Sequence, residues 1–263
     1  MPVAPHRPAA IANKIFQGSR AVKLGLLTRE SLRSRAWQRL FRDIYADARL
    51  ERTHKLMCLA VQTFLLPEGA VISGRSAAHL FGVPYVGADD PVEVLAPRKL
   101  GPINGVRIHI ARIDAADRVV RGRWTLATPL RICWDLACWL DVIEAVVFVD
   151  ALAGRGLVDH ARLVDYAHRR RGARGHARFL KVVELMDAGA ESPPETRLRV
   201  RLVFAGLPRF VAQYQVIRDG SFVARVDLAL PELKIAVEYD GRWHASASQL
   251  ERDRHRLNRL LGA

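Results

Sequence analysis

Ser221-Phe222-Val223-Ala224-Arg225-Val226-Asp227-Leu228-Ala229-Leu230, then Pro231-Glu232, then Lys234-Ile235-Ala236-Val237-Glu238-Tyr239-Asp240 closed by Gly241, decides how the carboxy-terminal part of this chain is read. Both runs are rich in strand-forming residues and are bounded by turn residues, so each predicts a strand. Asp219-Gly220 is a hairpin turn. Ahead of it, residues 211–217 predict another strand. Ahead of that, residues 195–204 predict a helix that follows Pro194, turns Leu198, Leu202 and Val203 inward, and stops at Gly206-Leu207-Pro208. A further helix is expected over residues 246–261. The order is helix, three consecutive strands, helix.

The acids stand out against this background. Asp227 interrupts an apolar strand, and Glu238 and Asp240 lie two residues apart at the end of the next. Residues two apart on a strand share a face. Hairpin-connected strands lie about 5 Å apart, so Asp227 can come beside Glu238. Carboxylates brought together away from water repel and are costly to desolvate. A divalent cation removes that cost, and Mg²⁺ (or Mn²⁺) suits one or two carboxylates plus the phosphate oxygens of a substrate. Such an ion polarises a phosphodiester and acidifies an attacking water.

Glu195-Thr-x-Leu-Arg199, Gly206-Leu-Pro208, Val226-Asp227, Val237-Glu-Tyr-Asp-Gly241, His244 and Arg252-Asp253 together resemble the endonuclease-domain proteins related to very-short-patch-repair nucleases, within the PD-(D/E)xK superfamily. The resemblance covers roughly residues 190–263. It implies that Asp227 and Glu238 are the metal-binding acids and that Glu195 approaches the metal from the preceding helix. Asp240 stands where the superfamily signature usually has lysine, a lysine the very-short-patch-like branch also lacks, and His244 matches the histidine that contributes in that branch. Arg252 and Arg256 are expected to hold phosphate oxygens. Relatives continue past the equivalent of Leu260-Leu-Gly-Ala263 into another strand and helix, so a truncated nuclease sheet is expected. Residues 37–46 and the Ser76-Ala-Ala-His-Leu-Phe-Gly82 stretch are similar to the AbiEi-type antitoxin-like region often joined to this domain.

Outward from the carboxy-terminal part, charge is uneven. Residues 1–60 hold 12 basic and 4 acidic side chains, residues 61–190 hold 17 and 14, and residues 191–263 hold 12 and 9. The whole chain of 263 residues carries a net charge of +14, so a polyanion is the expected partner. The first segment predicts a helix over residues 9–21, a second helix capped by Thr28, and a strand or hairpin over residues 37–45, which together make a winged helix-turn-helix. Arg29, Arg33, Arg35, Arg39 and Arg42 run through it and are expected to contact the DNA backbone.

The middle segment predicts an amphipathic helix over residues 52–64, a strand and capped helix over residues 71–81, and strands over residues 92–95 and 106–110 with Gly101, Pro102 and Gly105 turning between them. A long helix is expected from Thr128-Pro129, with Trp134, Ala137, Cys138, Ile143 and Val147 as its core stripe. Two more helices over residues 159–187 flank a basic knot that contains Arg169, Arg170 and Arg171, a second candidate DNA contact. His79 and His109 have no ligand partner at a recognisable spacing and are read as structural. Residues 189–194 read as a joint. The expected divisions are residues 1–50, winged helix-turn-helix-like; 51–188, mixed α/β and antitoxin-like; and 189–263, nuclease-like.

The fold class expected is therefore α+β: a winged-helix-like unit, a mixed α/β middle and a restriction-endonuclease-like α/β domain. Residues 130–152 carry Asp135, Asp141, Glu144 and Asp150, too many charges for a membrane span. No secretory signal is visible, and Cys58, Cys133 and Cys138 show no metal-ligand spacing, so a cytoplasmic protein with buried thiols is expected. Two functions follow. One is a Mg²⁺-dependent endonuclease acting on double-stranded DNA. The other is a DNA-binding regulator of antitoxin type whose nuclease-like domain is catalytically dead. A membrane-surface protein ranks below both, because no basic amphipathic helix stands out. The residues specify no oligomeric state.

Overall fold

The computed structural model describes residues 6–239. The fold is mixed α+β, and the chain divides into two compact units, residues 1–135 and 136–263. The expected joint at residues 189–194 lies inside the second unit, as the start of a helix. Among the described residues no helix is long and apolar enough to cross a membrane.

The first unit opens with β1 (Ile15–Gln17), α1 (Gly18–Lys23), β2 (Trp37–Phe41) and β3 (Ile44–Asp47), which form a three-stranded antiparallel sheet in the order β1-β3-β2. The helix expected over residues 9–21 is therefore wrong up to Gly18, where α1 starts. Ile15 and Phe16 pair with Ala46 and Tyr45 instead, which sets the Phe16 ring edge-on against Trp37 at 5.0 Å. β-Branched and aromatic side chains gain more from that pairing than from a helix. Gly18 then starts α1 where a Cβ would sit 2.6 Å from the Tyr45 ring. The second expected helix is only a 3-10 turn over Ser31–Arg33. Thr28 and Ser31 do exchange backbone-to-hydroxyl bonds of 2.9 and 3.0 Å, but Ser34 turns extended and the helix goes no further.

There follow α2 (His54–Phe64), β4 (Val71–Ile72), α3 (Gly74–Leu80), β5 (Val92–Ala96), β6 (Val106–Ile110), β7 (Arg118–Arg121), β8 (Trp124–Ala127) and α4 (Pro129–Trp139). Their strands form a five-stranded mixed sheet ordered β6-β5-β4-β8-β7. Thr53 caps α2 by accepting Leu56 N at 3.1 Å. β5 and β6 pair in parallel, so residues 97–105, expected as a turn between the two strands, form a crossover. Glu93, 1% exposed in β5, accepts Arg75 Nη2 at 2.8 Å and Arg75 N at 2.7 Å. It thereby pins the start of α3 to the sheet.

The second unit holds α5 (Val142–Gly154), α6 (His160–Arg169), α7 (His176–Leu185), α8 (Pro193–Phe204), β9 (Val211–Arg218), β10 (Ser221–Leu230) and β11 (Ile235–Val237). The expected long helix from Thr128 is two helices, because Asp141 turns extended and caps α5 by accepting Glu144 N at 3.0 Å. A buried ion pair ties α5 to α8. Arg199 Nη2 donates to Asp150 Oδ2 at 2.7 Å, and Asp150 also accepts Thr196 Oγ1 at 2.8 Å and Asp187 N at 2.7 Å. Burial pushes the Asp150 carboxyl up to about 6 against the pull of Arg199. The strands form an antiparallel sheet ordered β11-β10-β9. Phe210, Leu228 and Leu230 make its core with Leu198 and Leu202 of α8.

Candidate functional site

The sheet of the second unit sets the site by register. Leu228 pairs with Val237 on one side and Ala212 on the other. These three apolar residues form one row in the core beneath α8. Continued one step past the end of β11, the same register would set Glu238 across from Asp227. Cross-strand partners share a face, so that continuation would put the two carboxylates on the same side of the sheet. Asp227 is half-buried and Glu238 exposed. Asp227 Oδ2 accepts Tyr239 N at 2.9 Å, which draws the chain after β11 onto this carboxylate. The expectation that Glu238 lies within a strand needs correction: β11 stops at Val237.

On the other side of Asp227, the register position is held by Gln213, between the pairs Ala212↔Leu228 and Tyr214↔Val226. Its φ of +52° breaks the ladder at that point. Its amide is used elsewhere: Gln213 Nε2 donates to Glu195 Oε2 at 2.8 Å. Reading the sequence missed Gln213. The available signal was a lone amide in a strand one hairpin away from Asp227.

Glu195 is 8% exposed in the first turn of α8. Ser192 caps that helix, with its Oγ accepting Glu195 N at 3.4 Å and donating to Glu195 Oε1 at 2.6 Å. Glu195 Oε2 also accepts Glu191 N at 3.1 Å. Ser192-Pro193-Pro194-Glu195 is thus a capping box with proline in the first turn. Both oxygens of Glu195 are committed, one to Ser192 and the other to Glu191 N and Gln213, so the carboxylate is fixed in place. Among the described residues no group of three or more His, Cys, Asp and Glu is arranged to hold a metal ion. The structure thus brings Glu195 to Gln213 and Asp227 to Tyr239, with Asp227 and Glu238 as the pair of acids that the continued register would set together. Asp240, His244, Arg252 and Arg256 lie outside the described residues.

The arginines expected to meet DNA in the first unit are all on its surface: Arg29, Arg33, Arg35, Arg39 and Arg42 are exposed. Arg33 ends the 3-10 turn, Arg39 lies in β2, and Arg42 forms the β2–β3 turn with Asp43. In the second unit Arg169 and Arg171 are exposed and Arg170 half-buried, while Arg169 and Arg170 lie over the Tyr166 ring at 5.8 and 4.7 Å.

No protein-family model matches the chain, and no solved structure matches it. It is similar to two proteins of Mycobacterium tuberculosis, Uncharacterized protein MT2308 of strain CDC 1551 / Oshkosh and Uncharacterized protein Rv2248 of strain ATCC 25618 / H37Rv. Each is 28% identical over 163 residues, which make up 62% of this chain and 59% of the relative. The matched part thus spans about three-fifths of each of these relatives.

Proposed function

We propose that this chain is a Mg²⁺-dependent DNA endonuclease of the PD-(D/E)xK type, related to very-short-patch-repair nucleases, with a small basic DNA-binding unit ahead of it. The observation that carries this reading is the β10–β11 register, which continued one step would set Glu238 across from Asp227, in the same sheet whose β9 braces the carboxylate of Glu195. Two acids on one face of a sheet suit a hard cation that keeps waters and takes phosphate oxygens as further ligands. Asp227 and Glu238 are the residues that would hold Mg²⁺, or Mn²⁺ in its place. When bound, the ion supplies charge neutralisation at the phosphodiester and a more acidic water.

The protein's own groups do the rest. Glu195, braced by Ser192 and Gln213, assists from α8 as a positioning carboxylate, and Asp240 is a further assisting acid. His244 orients or deprotonates the attacking water, which adds to phosphorus in line with the departing strand oxygen. Arg252 and Arg256 hold the non-bridging oxygens. Arg29, Arg33, Arg35, Arg39 and Arg42, with Arg169, Arg170 and Arg171, draw double-stranded DNA in by attraction that is independent of sequence. The setting proposed is the cytoplasm.

The test is plasmid nicking with Mg²⁺, Mn²⁺ or EDTA. Cleavage that needs the metal and disappears in Asp227→Ala, with DNA binding kept, supports the enzyme. A second reading has its own support. Both carboxylate oxygens of Glu195 are engaged, by Ser192, Glu191 N and Gln213 of β9, rather than turned toward a cation. That favours a DNA-binding regulator of antitoxin type with an inactive nuclease-like domain, for which DNA binding persists in EDTA and no nicking occurs.

A further inference from the structure

The β7–β8 hairpin of the first unit presents basic side chains over a cavity that neither reading uses. Arg121 pairs with Trp124 across the hairpin, and Gly122 with Arg123 makes the turn. Gly122 has φ +58°, which is what a tight turn between these strands requires. The turn is held down by one side chain. Gln62 of α2 donates Nε2 to Arg123 O at 2.6 Å and accepts Thr125 N at 2.9 Å. At the end of α3, the Arg121 guanidinium lies over the Phe81 ring at 5.3 Å.

Beneath the hairpin is a cavity of about 480 Å³, lined by Lys55 of α2, His79 of α3, and Arg121, Arg123 and Trp124 of the hairpin. No acid lines it. Among the described residues no carboxylate pairs with Lys55, Arg121 or Arg123. His79 Nδ1 is buried with no hydrogen-bond partner. Burial and the nearby Lys55 ammonium hold His79 below the usual imidazole range. Like charges gathered around a concave wall repel one another, and an oxyanion relieves that repulsion. Arginine and lysine give phosphate strong charge-assisted hydrogen bonds. Trp124 offers an apolar ring of the kind on which a base stacks. The volume falls in the range of small-molecule sites.

We propose that this cavity binds a nucleotide through its 5′-phosphate, with Lys55, Arg121 and Arg123 as the anion partners and Trp124 as the wall for the base. The ligand is either a free nucleotide or the phosphorylated 5′ end of a nucleic-acid strand. The site does not depend on the Asp227 reading.

Calorimetric titration of the full chain tests this with ADP, adenosine, and a short single strand carrying either a 5′-phosphate or a 5′-hydroxyl. The phosphorylated ligand of at least one pair binds saturably and more tightly than its unphosphorylated counterpart. Lys55→Glu and Arg123→Glu, on different elements and both at exposed positions, each weaken it by about tenfold or more. Arg98→Glu, off the cavity wall, leaves it unchanged. Response to ADP alone assigns the free nucleotide, response to the phosphorylated strand alone assigns the strand end, and response to both assigns the 5′-phosphate itself. Equal binding of phosphorylated and unphosphorylated partners overturns the proposal, as does wild-type affinity in the Lys55 and Arg123 variants with circular dichroism unchanged.

Discussion

Gln213 Nε2 lies 2.8 Å from Glu195 Oε2, although Gln213 occupies the β9 position across from Asp227 and Glu195 lies on α8. A left-handed backbone in mid-strand, φ +52°, accompanies this bond. Such a conformation is unfavourable for a side chain other than glycine by about 1 kcal/mol or more. Under the endonuclease proposal, Gln213→Ala is expected to lower nicking by about tenfold or more because the bond that holds Glu195 in place is lost, with the fold retained. Gln213→Gly separates the two roles: it relieves the backbone and raises the melting temperature relative to Gln213→Ala, yet nicks as poorly. Thermal melting and plasmid nicking on both variants read the two effects.

Asp150 and Arg199, 1% and 0% exposed, are the buried charged link between α5 and α8, beside the more exposed pair of Glu144 and Arg197. Removing one partner leaves the other charge buried. Asp150→Ala is expected to cost about 3–5 kcal/mol. The double variant Asp150→Leu with Arg199→Met is expected to be less destabilised than the single change. Urea unfolding of both proteins checks this, and a double variant weaker than Asp150→Ala would show that the pair is worth more than its burial cost.

Acid is expected to weaken the first unit. Burial, with Arg107 and Arg75 adding repulsion, pushes His109 from 6.5 down to about 4. Burial also lowers His54, whose ring is held by Gly87 O at 3.0 Å and Ser76 Oγ at 2.8 Å. The unfolded chain takes up protons near 6.5, while folded His109 does so only near 4. Its contribution is therefore complete above the unfolded value and disappears as pH falls through that window. Urea midpoints at about pH 7.5 and about pH 4.5 should fall with acid, and the fall should be smaller in His109→Gln.

The exposed arginines of the first unit should act on DNA additively and without sequence preference. Replacing Arg33, Arg35 and Arg39 together by alanine is expected to weaken duplex binding and to reduce the salt slope by about 0.9 for each phosphate that is no longer neutralised. Fluorescence anisotropy across a salt series measures this. An unchanged slope would count against these arginines as phosphate contacts.

Much of the second unit was legible because its signals are local. Ser192-Pro193-Pro194-Glu195 announces a helix start through bonds that span three residues. Asp219-Gly220 announces a hairpin, and β9 and β10 follow on either side. In the first unit the same kind of reading failed where pairing partners are distant in sequence. Ile15 and Phe16 read as helix until β3 supplies a strand to pair with. For β5 and β6 the residues between them showed a turn but not the sense of pairing, which is parallel.

What residue order alone determined here is the alternation that sets Asp227 apart from the apolar row of Val226 and Leu228, together with the caps and turns that bound each element. Only the tertiary structure decided what stands beside that acid. Counting back from the turn, Arg218↔Ser221 and Ile217↔Phe222 would bring Ala212 opposite Asp227. A bulge at Val223 shifts the ladder by one residue, to Val216↔Ala224, and puts Gln213 there instead. Strand side chains alternate with a period of two, so one extra residue exchanges every partner beyond it. Where that residue is inserted depends on packing against α8 and β11, not on the strand's own composition.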